Sequence, residues 1–354
     1  MTRFLSEKYH SLTPYDTNGE HESGEYVRLN TNESPFPPSP RAAARVAESA
    51  NTMNFYPDPD GRELSEKIAA LYGVKPNEVL LTCGSDEALS FIFRAFCDKT
   101  CPAAFPEITY SFYEILADLN GVPFQTLPLN ADFTVPLEKY TGLNMTLFLP
   151  NPNSPTGLYL ERSDIERVIH GNTDNIVVID EAYIDFGGES CAPLIDKYNN
   201  LLVVQTFSKS RSLAGARLGF CLGNAELIKD LNMIKNSEAP YNLCAATLAA
   251  GLGALEDEDC YTRPNCRIII ENRAYADSVL KELGFETLPS KANFILAKRD
   301  GISGAELAAK LKERGVLVRC YESPKALAPY VRITIGTRVQ MEKLVSALRD
   351  ILRK

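Results

Sequence analysis

Apolar residues recur every three or four positions over 61–72, 85–97 and 161–170, the spacing of helices with one buried face. By contrast, 78–82, 122–127, 145–149, 176–179, 201–206 and 218–222 are short apolar runs bounded by turn residues, which predicts strands. Several of these runs are apolar on both faces, as strands between two helical layers must be. The alternation runs from residue 41 to about 235 and predicts an α/β unit with a mainly parallel sheet. Beyond 236 the texture changes. Long helical stretches at 241–255 and 259–284 lead to extended segments at 292–297, 316–319 and 331–335, with helices at 303–314 and at the chain end. That order predicts a smaller α+β unit. The first thirty residues are polar and irregular, and the prolines of LNTNESPFPPSP at 29–40 break regular structure. The expected organisation is an arm at 1–40, a large domain at 41–237 and a small C-terminal domain at 238–354.

Composition narrows the function. A chain of 354 residues is long for one core and suits a large domain with a smaller one beside it. Its 45% hydrophobic and 23% charged residues are those of a globular protein. A formal charge of −9, with Lys and Arg scattered, offers no basic field for nucleic acid, so small-molecule partners are expected. No apolar run approaches the ~20 residues that cross a bilayer, and residues 1–10 lack the apolar stretch of a secretory signal. No membrane partner is therefore expected, and the expected location is the cytoplasm. Nine cysteines without paired spacing argue against a disulfide framework or a zinc site. The three histidines, His10, His21 and His170, lie far apart, which disfavours a histidine metal cluster or a Ser-His-Asp triad. No metal is expected, and the chemistry falls to Lys, Asp, Tyr and Arg.

Five segments can carry it. TFSKSRSLAGARLG at 206–219 leaves an apolar strand with hydroxyls, a lysine and an arginine, at the kind of strand end where α/β domains bind ligands. Lys209 can form a Schiff base there, and Thr206, Ser208 and Arg217 can hold a phosphate; in isolation, a solvated lysine on a loop explains the segment as well. In NIVVIDEAYIDF at 175–186 a buried strand ends in Asp180, an acid that is costly to bury without a cationic partner. A protonated pyridine nitrogen is such a partner, and Tyr183 can bond the ring hydroxyl; capping a helix, or binding a metal, is the alternative for Asp180. LLTCGSDEALSFIFRAF at 80–96 reads as strand, glycine turn and helix start, whose free amides at Gly84, Ser85 and Asp86 suit an anion, although Asp86 and Glu87 would cap the helix equally well. In NPNSPTG at 151–157, Asn153 and Ser154 can aim polar groups at a site or merely form a loop. In AFPEITYSFYE at 104–114, Tyr110 begins a helix and either lays its ring on a planar cofactor or belongs to the core.

Taken in order, the glycine turn with Ser85 and Asp86, Tyr110, Pro155-Thr156-Gly157, Asp180 with Tyr183, Ser208-Lys209 and Arg217 resemble fold-type I pyridoxal phosphate enzymes of the aspartate aminotransferase superfamily, over nearly the whole chain. LTPY at 12–15, LNTNESP at 29–35, FYPDP around Tyr56, DEAYIDF at 180–186 and VRITIGT at 331–337 are similar to histidinol-phosphate aminotransferases. The resemblance implies pyridoxal 5'-phosphate bonded to Lys209, with Asp180 at the ring nitrogen, Tyr183 at the ring oxygen and Tyr110 stacked on the ring. It implies that Ser85, Asp86, Thr206, Ser208 and Arg217 hold the cofactor phosphate, and that the enzyme is a homodimer with Tyr56 supplied across the interface. Arg332 matches the arginine that binds the substrate anion, Arg319 and Tyr15 lie where the phosphate of histidinol phosphate is expected, and Asn32 joins the substrate set. The family has Asn before Pro-Thr-Gly where this chain has Ser154, so either Ser154 through water or Asn153 takes the contact to the ring oxygen.

The implied reaction interconverts L-histidinol phosphate plus 2-oxoglutarate with imidazole acetol phosphate plus L-glutamate, in histidine biosynthesis. Threonine-phosphate decarboxylases and aromatic or broad-range aminotransferases share the scaffold and stand as alternatives. A non-catalytic pyridoxal phosphate-binding regulator would keep the lysine, but no basic helix-turn-helix segment precedes residue 41.

Overall fold

After strand β1 (Val27–Leu29), helices α1 (Pro40–Ser49) and α2 (Arg62–Tyr72) lead into β2 (Val79–Thr82), α3 (Gly84–Phe96), β3 (Ala103–Pro106), α4 (Phe112–Asn120), β4 (Phe124–Leu127), β5 (Thr146–Pro150), α5 (Arg162–His170), β6 (Val177–Asp180), β7 (Leu201–Thr206), β8 (Gly219–Gly223) and α6 (Ala225–Glu238). The chain continues through α7 (Ala245–Glu256), a π-helical turn (Glu258–Thr262), α8 (Arg263–Glu282), β9 (Glu286–Thr287), β10 (Phe294–Lys298), α9 (Gly304–Lys312), β11 (Val316–Cys320), β12 (Tyr330–Thr334) and α10 (Arg338–Leu352). These elements come from a computed structural model that describes residues 2–15 and 24–353; His21 lies outside the described residues.

Seven strands form one sheet in the order β2-β8-β7-β6-β5-β3-β4. The pairs from β7 to β4 are parallel, whereas β8 runs against both of its neighbours. Two reversals restore direction, so β2, β3, β5, β6 and β7 all end at one edge of the sheet. The central strands β5, β6 and β7 are buried along their whole length and largely apolar on both faces because both faces are covered, whereas the edge strand β4 is mostly exposed. Leu147, Leu149, Val177, Ile179 and Val203 pack in one cluster, and the alternate residues Phe148, Val178, Leu202 and Val204 pack in the other. The parallel α/β expectation is met.

The second sheet, β1-β11-β12-β10-β9, is antiparallel except for the pairing of β1 with β11. Val331, Ile333, Ile295 and Val316 pack against Cys266, Ile269 and Leu280 of α8 and Leu344 and Leu348 of α10. Four sequence expectations need correction. The arm is not wholly irregular, since β1 joins the small sheet. Pro40 opens α1 at a position where its missing N–H costs nothing, with Ser39 as the cap. Tyr110 does not begin a helix; it precedes α4, which starts at Phe112. The packing also changes hands later than the expected 237–238 join: Leu243, Ala250, Leu252 and Ala254 share a core with Leu64 and Ile68 of α2. Among the described residues no helix is long and apolar enough to cross a membrane.

Candidate active site

A cleft of about 400 Å³ opens where the carboxyl ends of β2, β5, β6 and β7 meet the small sheet. Fourteen of the sixteen residues singled out from the sequence line it; Asn153 and Tyr56 do not. Lys209 and Asp180 face the same space. The convergence follows from topology, because Asp180 and Thr206 close the neighbouring parallel strands β6 and β7 and the loops beyond them leave the sheet together.

Asp180 is 5% exposed. Its Oδ2 accepts from the Tyr113 hydroxyl at 2.8 Å and its Oδ1 from the Ala182 N–H at 3.1 Å. Burial pushes its pKa up to about 6, against the pull of those two donors and with some help from Asp86. Among the described residues no cationic side chain pairs with it. A buried carboxylate in this state lacks a positive partner, which a protonated ring nitrogen would supply. Lys209 Nζ donates to the Thr31 carbonyl at 3.4 Å and lies 5.9 Å from the centre of the Tyr183 ring. The Tyr183 hydroxyl accepts from Asn32 Nδ2 at 3.0 Å, which leaves its own proton free to donate. Asn32 is itself fixed through Thr334 and Asn293, in a left-handed backbone conformation with φ of 55°.

At the opposite end, α3 presents its first amides beside Thr206, Ser208 and Arg217. The Thr206 hydroxyl is 2.9 Å from that of Ser208 and accepts the Ser208 N–H at 3.1 Å. Arg217 donates to Asp86 Oδ2 at 3.1 Å, and Tyr110 donates to Asp86 Oδ1 at 3.1 Å. Glycine makes this cradle possible: a Cβ on Gly219 would stand 2.4 Å from the Gly84 carbonyl carbon and 2.5 Å from the Ser85 nitrogen, and a Cβ on Gly84 would stand 2.6 Å from Arg217. The capping alternative applies to Glu87, which accepts the Cys83 N–H at 2.7 Å; Asp86 instead accepts from the side chains of Tyr110 and Arg217. Helix amides, two hydroxyls and a guanidinium converging on one space fit a phosphate dianion.

Around the mouth, Arg319 of β11 and Arg332 of β12 are register partners. Arg332 donates to the Ser154 hydroxyl at 3.3 Å and to the Asn30 carbonyl at 2.9 Å. Tyr15 packs its ring edge against Phe112. Asn153 is turned away, its amide donating to the Ile108 carbonyl and the Thr156 hydroxyl, so of the two candidates only Ser154 faces the cleft. Tyr56 is 80% exposed and stacks on Tyr241 at 4.5 Å. Sequence reading missed Tyr113, the donor to Asp180. Its only signal was a second tyrosine one helical turn after Tyr110.

The sheet, the buried acid facing a lysine and the phosphate cradle together define a pyridoxal phosphate-dependent transferase of fold-type I. The model of the aminotransferase class I and II family matches residues 24–348, and the chain belongs to that family. It is an aminotransferase that uses pyridoxal 5'-phosphate. The chain is 44% identical over 359 residues, covering all of both proteins, to histidinol-phosphate aminotransferase of Aromatoleum aromaticum. The crystal structure of histidinol-phosphate aminotransferase from Sinorhizobium meliloti in complex with pyridoxal 5'-phosphate superposes with a TM-score of 0.88, covering 100% of this chain and 98% of that one at 23% identity. L-threonine-O-3-phosphate decarboxylase from Porphyromonas gingivalis superposes with a TM-score of 0.81 over 93% of this chain and 100% of that one at 25% identity. The fold is thus common to transaminases and a decarboxylase.

Proposed function

We propose that this enzyme moves the amino group between L-histidinol phosphate and 2-oxoglutarate, yielding imidazole acetol phosphate and L-glutamate, as a cytoplasmic step of histidine biosynthesis. The observation that carries this reading is the 44% identity along the full length of a protein of that name. The paired Arg319 and Arg332 support it, because such a site must accept glutamate's carboxylate and then a phosphomonoester, and two guanidinium forks suit both.

When bound, pyridoxal 5'-phosphate supplies an aldehyde that takes up the amine and a ring that accepts the electron pair left on the substrate carbon. Lys209 is the residue that would bond the cofactor, and its Nζ would serve as the general base that takes the proton from that carbon and as the acid that returns it. Asp180 would keep the ring nitrogen protonated, and Tyr183, held by Asn32, would donate to the ring oxygen, with Ser154 as a further polar group lining the cleft. Tyr110, which lines the cleft, would stack on the ring. The amides of Ser85 and Asp86, with Thr206, Ser208 and Arg217, would hold the cofactor phosphate. Arg332 takes the substrate carboxylate, and Arg319 with Tyr15 and Asn32 takes the phosphate end. The working unit is a homodimer in which the exposed Tyr56 completes the neighbouring subunit's phosphate site, and each chain divides into an arm, a large and a small domain.

The test compares histidinol phosphate, phenylalanine and threonine phosphate in steady state, and mixes the yellow holoenzyme with glutamate alone. Histidinol phosphate should lead phenylalanine, which carries no phosphate, by about a hundredfold in kcat/KM, the scale set by lost charge-assisted contacts, and glutamate should bleach the yellow band. A preference for phenylalanine would remove the substrate assignment, and an unchanged band with glutamate would point to decarboxylation.

A further inference from the structure

Behind Lys209, on the side away from the cleft, lies a buried ion cluster that the reaction itself does not use. Arg211 has a side chain 1% exposed and forms a two-pronged pair with Glu258, Nε to Oε2 and Nη2 to Oε1, each at 3.0 Å. Its third nitrogen reaches Asp185 Oδ2 at 3.3 Å, and Ser210 donates to the same oxygen at 2.5 Å. The guanidinium also lies 4.9 Å above the centre of the Phe207 ring. Residues 207, 210 and 211 are thereby fixed on both sides of Lys209. Ser212 follows with φ of 57°, and the loop closes through the Leu213 N–H to the Phe207 carbonyl.

The partners explain what the cluster connects. Asp185 lies in the short turn Ile184–Phe186, directly after Tyr183. Glu258 opens the π-helical turn Glu258–Thr262, between α7, which belongs to the large core, and α8, which packs under the small sheet. Short π segments inside helices occur often at functional positions, since they cost hydrogen-bond geometry. A cavity of about 410 Å³ at this junction is lined by Arg211, Asp185, Glu258 and Arg263. Isolated buried ion pairs give little net stability over a well-packed apolar cluster, so stability alone is a poor reason to keep this one.

We propose that Arg211 is a positioning residue for Lys209, tying the lysine's loop through Glu258 to the junction of the two cores, so that the seating of the small sheet sets where the Lys209 amine stands. The proposal rests on Lys209 being the residue that bonds the cofactor.

Three variants of the full-length holoenzyme test it: Arg211→Lys keeps the charge without the fork, Glu258→Gln keeps the shape without the charge, and Arg211→Met removes both. With glutamate as substrate, kcat should fall about tenfold in the first two and about a hundredfold in the third, the penalty of a base misplaced by about an ångström, with KM within about twofold. The circular dichroism of the bound cofactor's visible band should weaken in the same order. In cofactor-free Arg211→Met, amide exchange should quicken at 207–213 and 258–262 together. Melting temperatures that fall while kcat and the dichroic band stay at parental values would overturn the proposal, leaving a structural ion pair. Exchange that quickens only at 207–213 would overturn the link to the junction. Should Arg211→Met not fold, the two conservative variants decide by the same readouts. Borohydride reduction of the parent followed by peptide mapping checks the premise separately: cofactor trapped anywhere but Lys209 sinks the site reading, whatever the variants do.

Discussion

Asp180 and Glu181 are consecutive carboxylates at the end of β6, 5% and 1% exposed, sent by the pleat to opposite sides of the sheet. Burial raises both, Asp180 to about 6 and Glu181 to about 7. Their surroundings differ in one respect. Glu181 is enclosed by protein donors: the Cys191 N–H at 2.6 Å on Oε1, and the Ser190 hydroxyl at 2.6 Å and the Gln205 amide at 2.8 Å on Oε2. Asp180 has one donor on each oxygen and otherwise faces the cleft. Equal burial therefore yields a satisfied structural acid on one side and, on the other, an acid that still wants a cation. The cleft is recognisable by that unmet need more than by the acid itself.

The largest effect tests the cleft side at its centre. Lys209→Ala should lower amino transfer by about 10⁴-fold, the upper range for a lost positioned acid-base group. Retention of more than a tenth of the activity, measured as the rate of the glutamate half-reaction, would dissolve the distinction between the two sides. Asp180→Asn comes next, with a fall of about 10²- to 10³-fold in kcat, as for removal of one preorganised charge at a reacting centre. The cofactor should also bind more weakly to that variant, read by equilibrium dialysis. An unchanged kcat would mean that the unmet need of Asp180 is not met by the cofactor ring.

Stability against pH sharpens the comparison further. The folded pKa of Asp180 is raised from 3.8 to about 6, so the fold favours its protonated form. That contribution is present below about pH 4 and is lost as pH rises to about 6, a share on the order of 3 kcal/mol by linkage. In cofactor-free protein, Asp180→Asn should gain on the parent by that share between pH 4 and pH 7 in urea unfolding. If a bound cofactor supplies the missing cation, the gain should shrink or reverse when it binds. If cofactor leaves the pH profile of the difference untouched, no cation reaches Asp180.

Much of this site is legible in the chain because its residues are sequence neighbours at strand ends: Thr206, Ser208 and Lys209 after one apolar run, Asp180 and Tyr183 after another. Buried parallel strands announce themselves by being apolar on both faces. What is illegible arises from pairing over distance or from weak local signals. Three residues of β1, inside a polar arm, become a strand only because β11 is there to receive them. The AAFP of β3 lacks the β-branched run that marks a strand, and burial between β4 and β5 imposes it. The reversed direction of β8 leaves no trace in its composition. The link from Arg211 to Glu258 spans two elements that look unrelated until the fold joins them.

The smallest effect falls on the other side of β6 and is the most discriminating. Glu181→Gln changes a group of nearly the same shape that does not line the cleft, so kcat should stay within about threefold of the parent; the electrostatic penalty of about 10²-fold applies only to groups at the reacting centre. Its stability should nonetheless move with pH. The folded pKa of Glu181 is raised from 4.5 to about 7, so its favourable share is present below about pH 4.5 and lost as pH rises to 7. A neutral amide has no such loss and gains on the parent over that window, by about 3 kcal/mol. Opposing this at every pH is a fixed cost of about 1–3 kcal/mol, because one oxygen becomes an NH₂ and the Gln205 amide then meets a donor. The variant should thus be the less stable protein at pH 4.5 and close to the parent at pH 8. Unlike that of Asp180→Asn, this profile should be the same with and without cofactor, since no ligand reaches Glu181. A cofactor-dependent profile, or a loss of activity approaching that of Asp180→Asn, would show that the two sides of β6 are not separate.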